Sequence, residues 1–523
     1  MAPMTELAKA APTLWKMPSA HRLAAQEFDR RQLRLRGRAG RALDSLEADI
    51  TSLSKAAAFR LSVSQLERNR YIEPHKLATI RVYKAKKRSL KQVGLAVLAA
   101  KKPEWSLDSS IWAPRKKWCD SLNLYDTDDC ERKKFDWIWQ TCREEQGIDK
   151  LILRNDDDGG ADEDGDGTPD EVAEVGDVLW DFHDLLFCLF DYYCGVGANL
   201  LAMAFNQWSE LLEDCQLVNK KSKFCKKADM DRLFIAVDTR QGKPSKALSR
   251  VEFLAALVHL CINKYVLTGE VKDVSEAMFK LLQEDVEGHM EPRLFEEANV
   301  FRSQICYRQD VSEVLAKHEV SLRRLFKGVG EADGRTVASK HMASLVSFAE
   351  WKLFVRQCKL VGPDLTERDA KLAFVWSRMA IINGASNRGA EKEANLPFEG
   401  FLEALCRLAV LKSLPIDAEL EAAGTLDAGL YVRHLYVTDE AAYDELIATR
   451  SSPWPGNFNM GQPPGRCVEH LIMMIFRTVQ GVADDENGPG PCGAGSSVDS
   501  SELAQADVKK FCRVFLDVLG TGH

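Results

Sequence analysis

The chain has 523 residues, 45% of them hydrophobic, and a formal net charge of −8. No run of about 18 apolar residues occurs, so no membrane-crossing helix is expected. Length alone fits roughly three or four domains. The opening, MAPMTELAKAAPTLWKMP, lacks an apolar core followed by a cleavage site, so no signal peptide is expected either. The 14 cysteines form no CxxC pair, and several fall at helical core spacing (Cys215, Cys358, Cys406). They read as small buried hydrophobes of a reduced, cytoplasmic chain rather than as a disulfide framework.

Residues 1–104 read as a basic helical arm, rich in Lys and Arg, ahead of a distinctly acidic remainder. Such an arm suits an acidic polymer or surface, or else is a solvated helix face. Leu43, Leu46, Ile50, Leu53 and Ala57 alternate three and four apart, a short seam that fits either self-association or packing on the chain's own body. Lys84 to Arg88 is a basic cluster to which no specific role is assigned. Residues 105–177 combine an aromatic stretch with an acidic loop. Pro114 and the step after Asp126 predict an extended arm, anchored by Trp112, Trp118 and Tyr125, that leads into a capped helix. The alternative is an exposed partner-binding peptide.

Two stretches downstream follow one template. Phe205, Trp208, Leu211, Leu212, Cys215 and Leu217 recur in order and spacing as Phe348, Trp351, Phe354, Val355, Cys358 and Leu360. The middle of the chain is therefore read as a duplicated module, covering 178–266 and 319–415, with a helical linker at 267–318. Each copy reads as four helices. The first ends at Leu189-Phe190 or Leu325-Phe326, and the second carries the Trp. The third carries Asp229 and Phe234, or Asp369 and Phe374. The fourth carries Phe253-Leu254 and Ala256-Leu257, or Phe401-Leu402 and Ala404-Leu405. Gly195 to Gly197 and Gly328 to Gly330 read as helix stops. Residues 416–523 predict helices near Asp417, Thr438 and Cys467 and a last one over Val508 to Leu519. A disordered loop is expected at the low-complexity ENGPGPCGAGSSVDSS. No strand-rich region is expected, and the fold class is all-α.

The paired helices and their polar loops have the outline of EF-hands, in which position eight forms a short β-bridge and position twelve is a chelating Glu. Leu248 at position eight puts Glu252 at twelve, but Gln241, Lys243 and Ser245 are poor ligands and Lys246 stands where Gly belongs. Val346 at eight puts Glu350 at twelve, with Ser339, His341 and Ala343 before it. Leu396 at eight puts Gly400 at twelve. The loop before Trp208 offers Val196, Ala198 and Leu200. All four loops keep the apolar skeleton without the calcium ligands; a generic helical repeat is the alternative. Asp162, Asp164, Asp166 and Asp170 have the order of a calcium loop, but position twelve would be Ala173, so a solvated acidic tract is favoured.

The segment Trp208-Ser209, Asp214 to Val218, Asp229-Met-Asp231, Phe234 and Val251-Glu252-Phe253 with Ala256-Leu257 resembles the core of the tubulin polymerization-promoting protein family. The second copy resembles it through Trp351, Cys358, Asp369, Phe374, Phe398, Phe401, Ala404 and Leu405. The resemblance covers about a third of the chain. It implies an α-helical, calcium-free EF-hand-like fold that binds microtubules. Tandem modules of this kind in large protist proteins imply a component of the cytoskeleton, in a cilium, flagellum or basal body. The stretch SIWAPRKKWCDSLNLYDT is similar to segments preceding such modules. The family is typically basic, has one core and carries a Gly-rich C-terminal signature. Here the modules are not basic, there are two, and Gly461 to Gly465 does not match that signature. Contact with acidic tubulin tails is therefore expected from the N-terminal arm.

No P-loop, GxSxG or HExxH occurs, so no catalytic or cofactor-binding residue is assigned and no enzyme is expected. Cys194, Cys215 and Cys225 with His183 lack the spacing of structural zinc sites. The expected function is a structural or scaffolding protein whose partners are tubulin, microtubules or other axonemal proteins, without membrane or nucleic acid. The alternative is a calcium-responsive EF-hand-like regulator.

Overall fold

The computed structural model describes residues 105–155, 167–197, 199–239, 245–290, 298–331, 345–425, 427–450, 461–480 and 502–520. The basic arm, Asp162 to Asp166 and the low-complexity loop lie outside them. Among the described residues the chain is predominantly helical, and its strands are two antiparallel pairs of two residues each. No helix there is long and apolar enough to cross a membrane.

The aromatic segment does not run extended. Amides of Ser109, Ala113 and Arg115 bond three residues back, folding it into turns and the short helix α1 (Arg115–Trp118). Trp112 is fully buried, whereas Trp118 and Tyr125 are only partly covered. Thr127 then caps α2 (Asp128–Gln146) by accepting the Cys130 amide at 3.3 Å. Acidic residues fill its first turn and Gly147 ends it at φ 60°, the favoured charge and stop for a helix. Helices α3 (Ile148–Asn155) and α4 (Asp170–Asp181) follow.

The first repeat consists of α5 (His183–Val196), β1 (Met203–Ala204), α6 (Phe205–Asp214), α7 (Lys227–Asp238), β2 (Ala247–Leu248) and α8 (Arg250–Cys261). A π-helical turn, Ile262–Val266, extends α8. The linker holds α9 (Val274–Lys280), α10 (Ala298–Phe301) and α11 (Gln309–Lys317). The second repeat is α12 (Glu319–Gly330), β3 (Val346–Ser347), α13 (Phe348–Gln357), α14 (Glu367–Trp376), α15 (Asn387–Ala394), β4 (Asn395–Leu396) and α16 (Phe398–Leu411). The tail adds α17 (Asp417–Ala422), α18 (Ala428–Thr438), α19 (Glu440–Arg450), α20 (Pro464–Gln480) and α21 (Gln505–Gly520).

The duplication extends to backbone detail. Met203 pairs with Leu248, and Val346 with Leu396. After each Trp helix one non-glycine residue turns left-handed, Gln216 at φ 52° and Lys359 at φ 54°. The amides that follow reach back over the helix end, Leu217 to Leu212 at 2.9 Å and Leu360 to Val355 at 3.2 Å. This reversal satisfies the last carbonyls and turns an apolar residue inward. It accounts for the Cys-x-Leu ending of the template: Leu217 and Leu360 are both buried.

The two repeats share one hydrophobic core that also takes in Trp112 and Cys512. The helices do end at these glycine pairs, with Gly197 just after α5 and Gly330 as the last residue of α12, while Gly195 and Gly328 serve as contact points inside them. A Cβ on Gly195 would stand 2.7 Å from Val375 in α14, and one on Gly328 would stand 2.5 Å from Val508 in α21. The Lys371 ammonium donates to the Val196 carbonyl at 3.0 Å across the same junction.

A buried ionic cluster ties the early segment to α16. The Glu403 carboxylate receives Arg115, Arg302 at 3.1 Å and Arg407 at 2.6 Å, and all four side chains are fully buried. Arg302 also pairs with Asp126 at 2.8 Å, and Arg115 donates to the Tyr307 hydroxyl at 2.9 Å. Burial pushes the Glu403 carboxyl up, but Arg302, Arg115 and Arg407 outweigh it and hold it at about 2.

Candidate functional site: a lysine loop beside Trp208

Trp208 is fully buried, as are Leu211, Leu212 and Cys215 on the same face of α6. The opposite face carries Ser209 and Glu213 toward the loop between α6 and α7. That loop reads Asn219-Lys-Lys-Ser-Lys-Phe-Cys-Lys-Lys227, five lysines within eight residues. Its backbone is tied down. The Asn219 amide donates to the Cys225 carbonyl at 2.9 Å, and the Asn219 side chain accepts the Lys221 amide at 2.9 Å. The Ser222 hydroxyl accepts the amides of Phe224 and Cys225 at 3.2 and 3.1 Å. Cys225 is buried as the loop's anchor.

The lysines therefore stand on a fixed frame, all of them exposed. Among the described residues only Lys227 has an ion-pair partner, Glu213 at 3.5 Å. A groove of about 660 Å³ opens beside them, walled by Leu212, Val218 and Ala228 and rimmed by Lys220, Lys226 and Lys227, with Glu213 and Asp231 also in its lining. An apolar floor under a rim rich in lysine can take an extended peptide carrying carboxylates and an occasional apolar side chain.

The second repeat does not copy this loop. There Asp364 folds back onto the end of α16, accepting from the Lys412 ammonium at 2.8 Å and the Ser413 amide at 2.9 Å. Arg356 is held by Glu367 through two bonds of 2.8 Å. The net acidity of the modules concealed the lysine run in the sequence reading, although its density within one inter-helix loop was a readable signal.

Most of the loop positions weighed as calcium ligands are not among the described residues. Asp162, Asp164 and Asp166 lie outside the described residues, as do Gln241, Lys243, Ser339, His341, Ala343 and Ala198. Asp170 is the first residue of α4. The two glutamates at position twelve act as helix caps: Glu252 accepts the Ser249 amide and Glu350 the Ser347 amide, both at 2.7 Å. Lys246 is left-handed at φ 62°. The buried Asp238 carboxylate accepts the amides of Ser245 and Lys246 at 2.8 and 3.0 Å. Ser245 and Lys246, at the described end of this loop, are thus held by a carboxylate of the chain itself.

Cys194, Cys215 and Cys225 do not converge with His183. The only group of three metal-ligating side chains that meets among the described residues is Glu131, His183 and Asp184. His183 is fixed by its Nδ1 to the Trp180 carbonyl at 2.6 Å and stacks on the Trp180 ring at 3.9 Å. Burial pushes the Cys215 thiol up to about 12, so it packs as a neutral apolar group.

Comparison of the chain with protein-family models, with curated proteins and with solved structures finds no match.

Proposed function

We propose that this chain is a non-enzymatic cytoskeletal protein that associates with microtubules as a structural or scaffolding component, in a cilium, flagellum or basal body. The observation that carries the reading is the lysine loop and groove beside Trp208, inside the segment that resembles the tubulin polymerization-promoting family. Tubulin's acidic tails offer the matching chemistry: a flexible carboxylate-rich peptide that approaches by long-range attraction. We further read the two repeats as divergent EF-hand-like modules. The in-register pairs Met203 with Leu248 and Val346 with Leu396 support this, as does left-handed Lys246 where such a loop turns on glycine.

Co-sedimentation of the full-length protein with taxol-stabilised microtubules tests the proposal. Pelleting at low salt, falling steeply as salt rises, is expected. Replacing Lys220, Lys221 and Lys223 by Glu should release most of the bound protein, and so should trimming the tubulin tails. Protein that remains in the supernatant at low salt removes the tubulin reading.

A further inference from the structure

Helix α4 ends at Asp181 and α5 begins at His183, with only Phe182 between them. This corner brings His183 and Asp184 against Glu131 in the first turn of α2. The His183 ring is fixed from two sides. It stacks on Trp180 with ring centroids 3.9 Å apart, and its Nδ1 lies 2.6 Å from the Trp180 carbonyl oxygen. A carbonyl only accepts, so Nδ1 carries the hydrogen and donates it. The neutral ring then keeps its lone pair on Nε2. That nitrogen is 3.2 Å from an Asp184 oxygen and 3.7 Å from a Glu131 oxygen. Three Lewis bases thus converge, and a cation is what holds such a group together. A proton on Nε2 is one such cation, and a metal ion is the other.

The geometry suits a metal. Bonds of about 2.0–2.1 Å in a tetrahedral site set the ligand atoms about 3.4 Å apart. The two distances at Nε2 fall on either side of that value, and all three ligand atoms lie within 4.8 Å of one another. The supporting hydrogen bond is in place, since a metal-bound imidazole ordinarily donates its other N–H to a carbonyl or carboxylate. Asp184 is exposed while Glu131 and His183 are partly covered, so the group has an open side for entry and for a water as fourth ligand. Cations on the adjoining turn of α2 are engaged elsewhere. Arg132 pairs with Asp136 at 2.7 Å and lies over the Trp180 ring at 4.8 Å. Lys134 is attracted by Asp191 and Glu393.

We propose that Glu131, His183 and Asp184 bind one divalent transition-metal ion, with one ligand from α2 and two from α5. The ion fastens the segment ahead of the first repeat to that repeat, and the Trp180 carbonyl draws the end of α4 into the same joint. An imidazole with two carboxylates suits zinc or cobalt, whereas magnesium and calcium take oxygen ligands. The site shares no residue with the lysine loop and stands independently of tubulin binding.

Untagged full-length protein, stripped with EDTA and moved to metal-free buffer at pH 8, provides the test. In stripped protein a proton takes the metal's place on Nε2. Micromolar zinc should raise the melting midpoint by at least about 2 °C, and equal magnesium or calcium should leave it unchanged. Cobalt should bind one to one and develop the visible absorption of a low-coordinate ion, without the near-ultraviolet band of a thiolate ligand. His183→Gln should lose both signals. Asp184→Asn alters an exposed side chain; it should fold as wild type does and weaken cobalt binding at least about tenfold. Neither a zinc shift nor a cobalt band in the wild type would mean an ion pair only and would overturn the proposal. A thiolate band, or a signal that either variant keeps in full, would overturn it as well.

Discussion

The indole nitrogen of Trp351 donates to the carbonyl oxygen of Ala370 at 2.7 Å, whereas that of Trp208, equally buried, meets no acceptor. The two copies therefore use the same ring differently. Replacing either Trp by Ala should cost roughly 3–5 kcal/mol through the cavity it leaves. Replacement by Phe separates them. Trp351→Phe gives up a buried hydrogen bond and should cost about 1 kcal/mol more than Trp208→Phe, which removes an unsatisfied donor. Urea unfolding of the four variants measures this, and equal costs for the two Phe variants would refute it.

Glu403 is the carboxylate that Arg115, Arg302 and Arg407 share. Glu403→Gln takes from three buried guanidinium groups the carboxylate they share, and the cost should be roughly 3–5 kcal/mol. The carboxyl's affinity for protons falls from the ordinary 4.5 to about 2 in the folded chain. Its contribution to stability is therefore complete above about pH 4.5 and is lost as the pH falls toward 2. Melting curves from pH 6 down to pH 3 should show a steeper decline for wild type than for the Gln variant.

Gln216 and Lys359 hold left-handed backbone that an L side chain enters at a cost. Gln216→Gly and Lys359→Gly should therefore be neutral or stabilising, by up to about 1 kcal/mol each. Gly195→Ala has the opposite sign, because its Cβ would meet Val375. Differential scanning of the three variants reads the directions, and a stabilised Gly195→Ala would contradict the packing described.

Burial opposes charge on His183, but Glu131, Asp184 and the Trp180 carbonyl more than compensate, so its proton affinity is raised above 6.5. The stability its charged form contributes is thus fully present below about pH 6.5 and is lost as the pH rises through the folded value. The gap in melting midpoint between wild type and His183→Gln should narrow from pH 6 to pH 8. A gap that widens would reverse the assignment.

Much of the helical frame was legible because it is written in local periodicity. The positions matched between copies, from Trp208 to Leu257 and from Trp351 to Leu405, fall on corresponding helices, and the tail helices near Asp417 and Cys467 follow the same logic. What sequence reading missed is non-local. Gly197 and Gly330 do mark helix ends, but only the neighbouring helix reveals Gly195 and Gly328 as contact points. Arg115 and Glu403 are 288 positions apart, so no window joins them. The aromatic stretch from Trp105 read as extended because Pro and Asp break long helices, yet they equally start the short turns found there.

The loop between α6 and α7 also sets a valency. Duplication supplied two Trp helices but only one exposed lysine frame, since Asp364 closes its counterpart onto Lys412 and Ser413. If that frame makes the proposed microtubule contact, a body with one of them decorates a filament without joining it to another. Bridging two filaments would require a second chain, or the basic residues ahead of Trp105 acting as the other hand.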